Sequence, residues 1–389
     1  MDNTAIPDRN SKEINEAGKI AKFYGFQPIT PPVVERQDIE SVKDFEPSNY
    51  PAEKAALLRM YFEEKMMSHP QPSMFFCERP FRGLKESANQ RKNPFRLECS
   101  LVSLGSSKSV CECLSIQAGI AILNDMGYKN TEIRVNSVGD KDSMGEFQKK
   151  LTAFIKKNFN SFPADLRQAA KRDLCAVLKE SKDEWRAFQA ECPKSIDFLS
   201  ESSRLHFKEV LEFLEIMDIP YQIDHHLVGD LDMGSETVFF IKGDEEELAR
   251  GFCWNRLAKK LGHKKDLPGC VLNISAKLKR KLRKVRAKII KPQFYLVQFG
   301  PEAKLKSFLV LEELRKAGVN VIHSIAKDKL GSQMGVAETS AAPYIILIGQ
   351  KEALENSVVV RNTLTHAQEI VPVSELSAKV KSLIKNGLA

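Results

Sequence analysis

The sequence predicts an α/β protein of more than one domain, and three observations carry that prediction. Short apolar runs such as Met74–Cys77 and Leu97–Leu104 read as strands, while longer amphipathic runs between them read as helices. From about Asp140 to Ile216 the pattern is almost wholly helical, as expected of a helical insertion. Beyond Pro292 strands and helices alternate, which implies right-handed crossovers and a mostly parallel sheet covered by helices. A chain of 389 residues has room for two or three domains, one with a sizeable core.

The elements follow in order. Lys12–Tyr24 has helical spacing, and Gly25 supplies a C-terminal cap. The stretch F-Q-P-I-T-P-P-V-V-E (26–35) then runs extended, because its prolines forbid a helix and suit an edge strand or an interface. Ala52–Lys65 is helical, and the strands Met74–Cys77 and Leu97–Leu104 flank a polar loop over 80–94. Val110–Met126 reads as a helix and Thr131–Val138 as a strand. Within the insertion, charged helix faces recur at 141–157, 164–181 and 203–216. Strands return at 220–228 and 236–242, with a helix expected over 245–262. Lys277–Lys291 reads K-L-K-R-K-L-R-K-V-R-A-K-I-I-K, with Leu278, Leu282, Val285 and Ile289 at helical spacing, so a basic linker helix is expected. Strand Phe294–Phe299, helix Pro301–Ala317 ended by Gly318, strand Val319–Ile325 and a helix near 328–339 follow. Strands Tyr344–Ile348 and Ser357–Asn362 and a helix from Val373 close the chain. The expected domains are therefore 1–276, with an insertion at about 140–216, and 292–389, joined by the 277–291 linker.

A hydrophobic content of 42% and a charged content of 28% are ordinary for a soluble globular protein. No apolar run approaches a bilayer span, and Met1-Asp2-Asn3-Thr4 lacks the features of a signal peptide, so a cytoplasmic protein is expected. The 8 cysteines are scattered without a C-x-x-C pair, which argues for reduced, buried thiols rather than a zinc ribbon or a redox motif. Net charge is +8, and the 277–291 block holds no acid. Such a block favours a polyanionic partner through counterion release, or else forms a solvated helix face; both readings stand at this level. Asp224, His225, His226, Asp230 and Asp232 do not make a metal site, since adjacent histidines on a strand point to opposite faces. Leu104–Ser109 ends like a phosphate loop but lacks its first glycine and its spacing.

Four segments, in one order, carry a resemblance to histidyl-tRNA synthetases, which are class II aminoacyl-tRNA synthetases. F-Y-G-F-Q-P-I-T-P-P-V-V-E (23–35) is similar to motif 1, the dimer-building strand. M-F-F-C-E-R-P (74–80) resembles the start of motif 2, M-F-R-Y-E-R-P. L-V-G-D-L-D-M-G-S-E-T-V-F (227–239) resembles the histidine-pocket motif L-V-R-G-L-D-Y-Y-T-x-T-V-F. R-G-F-C-W-N-R-L-A-K-K-L-G (250–262) stands where the family has G-G-R-Y-D-G-L. The C-terminal part resembles the anticodon-binding domain through L-R-K-A-G-V-N-V (314–321), L-G-S-Q-M (330–334) and I-I-L-I-G-Q-K-E (345–352). The resemblance implies an α+β catalytic-like domain on an antiparallel sheet, a homodimer, and histidine tRNA as partner. ATP and magnesium are implied if the chain is active.

That family joins histidine to ATP as an adenylate and then to tRNA. Two anions must meet, so arginines aimed at the phosphates dominate the chemistry. In the matched positions the motif 2 arginine falls on Phe76 and the pocket arginine on Gly229, and the motif 3 strand reads N-I-S-A-K-L-K-R (273–280). Other departures are Met233 and Gly234 at the two tyrosines, Val102 at a late motif 2 glutamate, and Phe252 and Trp254 in the fourth segment. Pocket residues that the resemblance retains are Glu78, Arg79, Asp232 and Ser235, with Arg59 in L-R-M-Y-F-E (58–63). Arg96, Lys277 and Arg280 are candidate substitutes for the lost arginines, Arg96 through the alternative motif 2 register F-R-L-E (95–98). Lys279, Arg280, Lys281, Arg283, Lys284 and Arg286 are candidate RNA contacts. Three functions remain in view: a working ligase, a non-catalytic paralogue that binds RNA, and a regulatory subunit like that of ATP phosphoribosyltransferase. The last relative lacks the C-terminal domain.

Overall fold

A computed structural model describes residues 13–45, 50–83, 95–179, 183–231, 233–244, 246–280, 282–286 and 291–387. The chain divides into two compact units. The larger takes Thr30–Leu211 and Pro220–Lys281. The smaller takes the chain up to Ile29, the short piece Glu212–Ile219, and everything from Leu282.

The larger unit is built on a sheet whose strands run Ser73–Glu78, Arg96–Leu104, Gly269–Lys277, Glu246–Trp254, Ser235–Gly243, Thr131–Gly139 and Tyr221–Ile223. Neighbours pair antiparallel, except that Tyr221–Ile223 lies parallel to Thr131–Gly139. Helix Ser109–Asp125 covers one face and is buried along most of its length. Gly119 lets it lie close, since a Cβ there would stand 2.4 Å from Leu272 Cδ2. Leu101, Phe239, Ile241 and Leu272 form the apolar layer and are fully buried. The stretch 141–216 is largely helical, with Lys141–Asn158, Ala164–Arg172 and Glu201–Ile216 as its longer pieces, the last of which ends in the smaller unit.

One sequence expectation fails here. The helix expected over 245–262 is instead strand Glu246–Trp254 followed by the single turn Leu257–Lys260. The sheet outweighs local propensity at this point. Gly251 lies beneath the Phe239 ring, where a Cβ would come within 2.1 Å of Cζ, so the strand can enter the middle of the sheet.

In the smaller unit five strands run Val321–His323, Phe294–Gln298, Tyr344–Ile348, Ser357–Asn362, Gln368–Pro372. The first two pairings are parallel and the last two antiparallel, so this sheet is mixed rather than mostly parallel. The cause is a hairpin whose second arm, Gln368–Pro372, is too polar to stand out in the sequence. Helix Pro301–Ala317 ends on Gly318 at φ +73, as expected of a glycine cap. Helix Glu16–Phe23, capped by the Asn15 side chain, belongs to this unit, and the Tyr24 hydroxyl donates to Glu312 Oε2 at 2.5 Å.

The basic linker helix is also corrected. Lys277 is still in the sheet opposite Arg96, and the Leu278 N–H donates to the Phe95 carbonyl at 2.7 Å. Lys284–Arg286 then pairs antiparallel with Glu13–Asn15. Backbone hydrogen bonds that a helix would keep internal go to neighbouring strands, and a run of like charges gains nothing from helical i,i+4 spacing. Lys281 and residues 287–290 lie outside the described part. Among the described residues, no helix is long and apolar enough to cross a membrane.

Candidate functional site

The strands that carry the motif 2 and motif 3 resemblances are brought together around Arg96–Leu104. Cys77 stands opposite Ser100, and Ser100 opposite Asn273, so their side chains share one face of the sheet. Helix Pro51–Glu63 lays its first turn against this region. It starts on Pro51 at its first position, after Tyr50 at φ +51. That turn buries two charged residues, Glu53 and Lys54, each 1% exposed.

Both are spoken for. Arg79 Nε donates to Glu53 Oε2 at 2.7 Å, and its guanidinium carbon sits 3.2 Å from the centre of the Tyr50 ring. The Phe81 N–H points at Glu53 Oε1 at 3.4 Å. Burial opposes the charge on Arg79, but Glu53 overcomes it and holds the guanidinium protonated. Lys54 Nζ donates to Asn273 Oδ1 at 3.0 Å, and Ser100 Oγ donates to the same oxygen at 2.8 Å. Burial lowers the Lys54 pKa to about 7; Glu53 acts against that shift and Arg79 with it. Burial likewise pushes the Cys77 thiol up. The result is a closed polar cluster whose cations face the chain's own groups. Sequence reasoning missed Glu53, Lys54, Ser100 and Asn273; the only signal was polar or charged residues within largely apolar stretches of a helix and two strands.

The pocket-like motif folds back on itself. Gly229 adopts φ +61, and a Cβ there would meet the Val238 methyls at 3.3 and 3.4 Å. The Gly234 N–H donates to the Asp230 carbonyl at 2.6 Å, closing a tight turn. Met233 and Ser235 are buried, with Ser235 opposite Cys253 at the start of its strand. Phe252 and Trp254 are buried at the end of theirs. Asp232 lies outside the described residues.

The remaining candidates are spread out. Arg59 lies on helix Pro51–Glu63 and binds Asp38 at 3.0 Å, the Val33 carbonyl at 2.7 Å and Glu35 at 3.0 Å, which ties it to the 33–38 segment. Phe76 is buried, and Glu78 ends its strand opposite Cys99. Arg96 donates to Ser275 through its carbonyl at 2.9 Å and its hydroxyl at 3.1 Å. Lys277 pairs with Glu246 at 2.6 Å, and Lys279 pairs with Asp244 while lying over the Tyr128 ring. Arg280 donates to the Asp125 carbonyl at 2.8 Å. Arg283 is exposed; Lys284 and Arg286 are in the short strand paired with Glu13–Asn15. Ile29 is buried and Val33 half exposed.

A second pair, joining a half-buried histidine to a buried glutamate, was not anticipated. His206 Nε2 and Glu112 Oε1 are 2.6 Å apart beneath the sheet. Burial alone would lower the His206 pKa, yet Glu112 raises it to about 9.

Residues 293–383 match the family model described as anticodon binding domain. Histidine–tRNA ligase 1 of Shouchella clausii strain KSM-K16 is 26% identical over 350 residues, covering 87% of this chain and 81% of that protein. The histidine–tRNA ligase of Chlorobium phaeobacteroides strain BS1 is 23% identical over 400 residues, covering 95% and 91%. Among solved structures, the apo histidyl-tRNA synthetase of S. aureus is similar at a TM-score of 0.49, with 20% identity and 93% of each chain covered. Similarity along nearly the whole chain, with the C-terminal match in its expected place, makes this protein histidyl-tRNA synthetase-like, a likeness that takes in the family's synthetase-like paralogues.

Proposed function

We propose that this chain is a synthetase-like RNA-binding protein that does not form histidyl-adenylate. The observation that carries the reading is the closed cluster of Glu53, Lys54, Arg79 and Asn273 against the motif 2-like and motif 3-like strands. A polyphosphate needs cations held ready for it, and here Arg79 is committed to Glu53, Lys277 to Glu246 and Lys279 to Asp244. These residues do not fit ATP and its magnesium. Losing one preorganised donor costs about 3–4 kcal/mol of transition-state stabilisation, and restoring Gly229 to arginine would meet an unfavourable backbone.

The match of 293–383 to an anticodon-binding domain supports RNA as the partner, and the relatives' names make histidine tRNA the first RNA to try. Lys279, Arg280, Lys281, Arg283, Lys284 and Arg286 are the proposed contacts to the RNA backbone. The same reading expects a cytoplasmic homodimer, which sedimentation tests. The RNA assignment is tested by histidine tRNA binding at increasing salt, with Lys279, Arg280, Arg283 and Lys284 neutralised together. Affinity should fall steeply with salt, and the variant's slope should be shallower by about 0.7–0.9 per lost contact. Salt-independent binding, or a variant equal to the parent, would remove the basic segment from the account.

A second reading, a working ligase, draws on one observation. Arg96 and Lys277 stand opposite each other on neighbouring strands and could substitute for lost arginines.

A further inference from the structure

Cys253 and Cys270 face each other in the register of two antiparallel strands, each one residue in from its strand's end. Opposed residues in such a ladder hold their Cα atoms about 4.5 or 5.5 Å apart. Either spacing lies inside the range of roughly 4.4–6.8 Å that a disulfide spans. Both thiols are buried. The next pair outward, Trp254 opposite Gly269, is the last of the ladder. The Trp254 indole lies over Gly269, where a Cβ would come within 2.5 Å of Cζ2. Cys253 also stands opposite Ser235 and Cys270 opposite Ser103, so the thiols are reached when this end of the sheet opens as a whole.

We propose that Cys253 and Cys270 form a reversible cross-strand disulfide, with a low-molecular-weight disulfide as oxidant. One cysteine thiolate attacks a sulfur of the small disulfide, giving a mixed disulfide and one small thiol that takes up the proton. The second cysteine then attacks the protein sulfur of that mixed disulfide and releases the second small thiol. Two protein thiols are oxidised to one S–S bond, and one small disulfide is reduced to two thiols. Burial pushes the Cys253 thiol up, so reaction runs through the opened sheet end rather than the closed sheet. Oxidation staples the strands Glu246–Trp254 and Gly269–Lys277 at this end of their ladder. Cys111 and Cys113, on helix Ser109–Asp125, also approach Cys270 and are the competing partners.

The test uses the full chain in a Trp185→Phe background, which leaves Trp254 as the sole tryptophan. It is equilibrated with oxidised glutathione in the native state and, separately, refolded from denaturant in the same buffer. Free thiols are then alkylated and the peptides mapped. The expected result is a Cys253 peptide linked to a Cys270 peptide. Trp254 emission should be quenched and should recover with dithiothreitol, and Cys253→Ser should lose both signals. Alkylated Cys253 and Cys270 in both samples, or a link from Cys270 to Cys111 or Cys113, would overturn the proposal.

Discussion

Lys54→Met removes a buried amine while keeping its space filled, and the gain in stability should depend on pH in a defined way. In the unfolded chain the amine keeps its proton up to about pH 10.5, but in the fold it loses it above about pH 7. Between those values the unfolded state binds more protons, so the parent's stability should rise with pH across that window. Below pH 7 the penalty is complete, and at ~1.4 kcal/mol per pKa unit it is on the order of 5 kcal/mol. Losing the bond to Asn273 returns about 1 kcal/mol of that, because Ser100 still donates to the same oxygen. Methionine should therefore stabilise the chain by roughly 3–4 kcal/mol at pH 6 and by much less at pH 9.5. Urea unfolding followed by tryptophan emission reads this directly, since Trp185 and Trp254 lie in the same unit as Lys54. An equal difference at both pH values, or a variant less stable at pH 6, would refute a buried amine that titrates near neutrality.

Three further outcomes are expected. Glu53→Ala leaves the Arg79 guanidinium buried without its carboxylate and should cost about 3–5 kcal/mol in the same unfolding assay; a loss below ~1 kcal/mol, the scale of a surface pair, would show that the pair is solvated. Gly229→Arg forces a side chain into left-handed backbone and should cost about 1–2 kcal/mol, seen as a lower thermal midpoint; an unchanged midpoint would argue that the turn is not as described. His206 should titrate by NMR at about pH 9. Its folded pKa lies above the unfolded value of 6.5, so its contribution is complete below that pH and lost as pH rises through about 9. His206→Gln should accordingly be destabilising at pH 6 and nearly neutral at pH 10, and a titration near 6.5 would contradict the ion pair.

Much of the smaller unit was legible in the sequence because its signals are local. Strands Tyr344–Ile348 and Ser357–Asn362 and the helix closed by Gly318 follow from apolar runs, spacing and a glycine cap. The errors fall where tertiary pairing decides. Glu246–Trp254 carries helix-compatible residues, yet it becomes a central strand because Gly251 fits beneath Phe239. The basic segment has helical spacing in its apolar residues, but its backbone bonds go to Phe95 and to Glu13–Asn15. At the site, the sequence sets Gly229 and Phe76 where the resembled motifs carry arginines, whereas Lys54 and Asn273 are 219 residues apart and only the fold shows that they meet.

Histidine-dependent ATP–pyrophosphate exchange by the purified chain tests the central claim most directly. The closed Glu53–Arg79 and Lys54–Asn273 cluster predicts no exchange above the histidine-free background. Exchange at ordinary synthetase rates, abolished by Arg96→Ala or Lys277→Ala, would contradict it and establish the chain as a ligase with relocated cations.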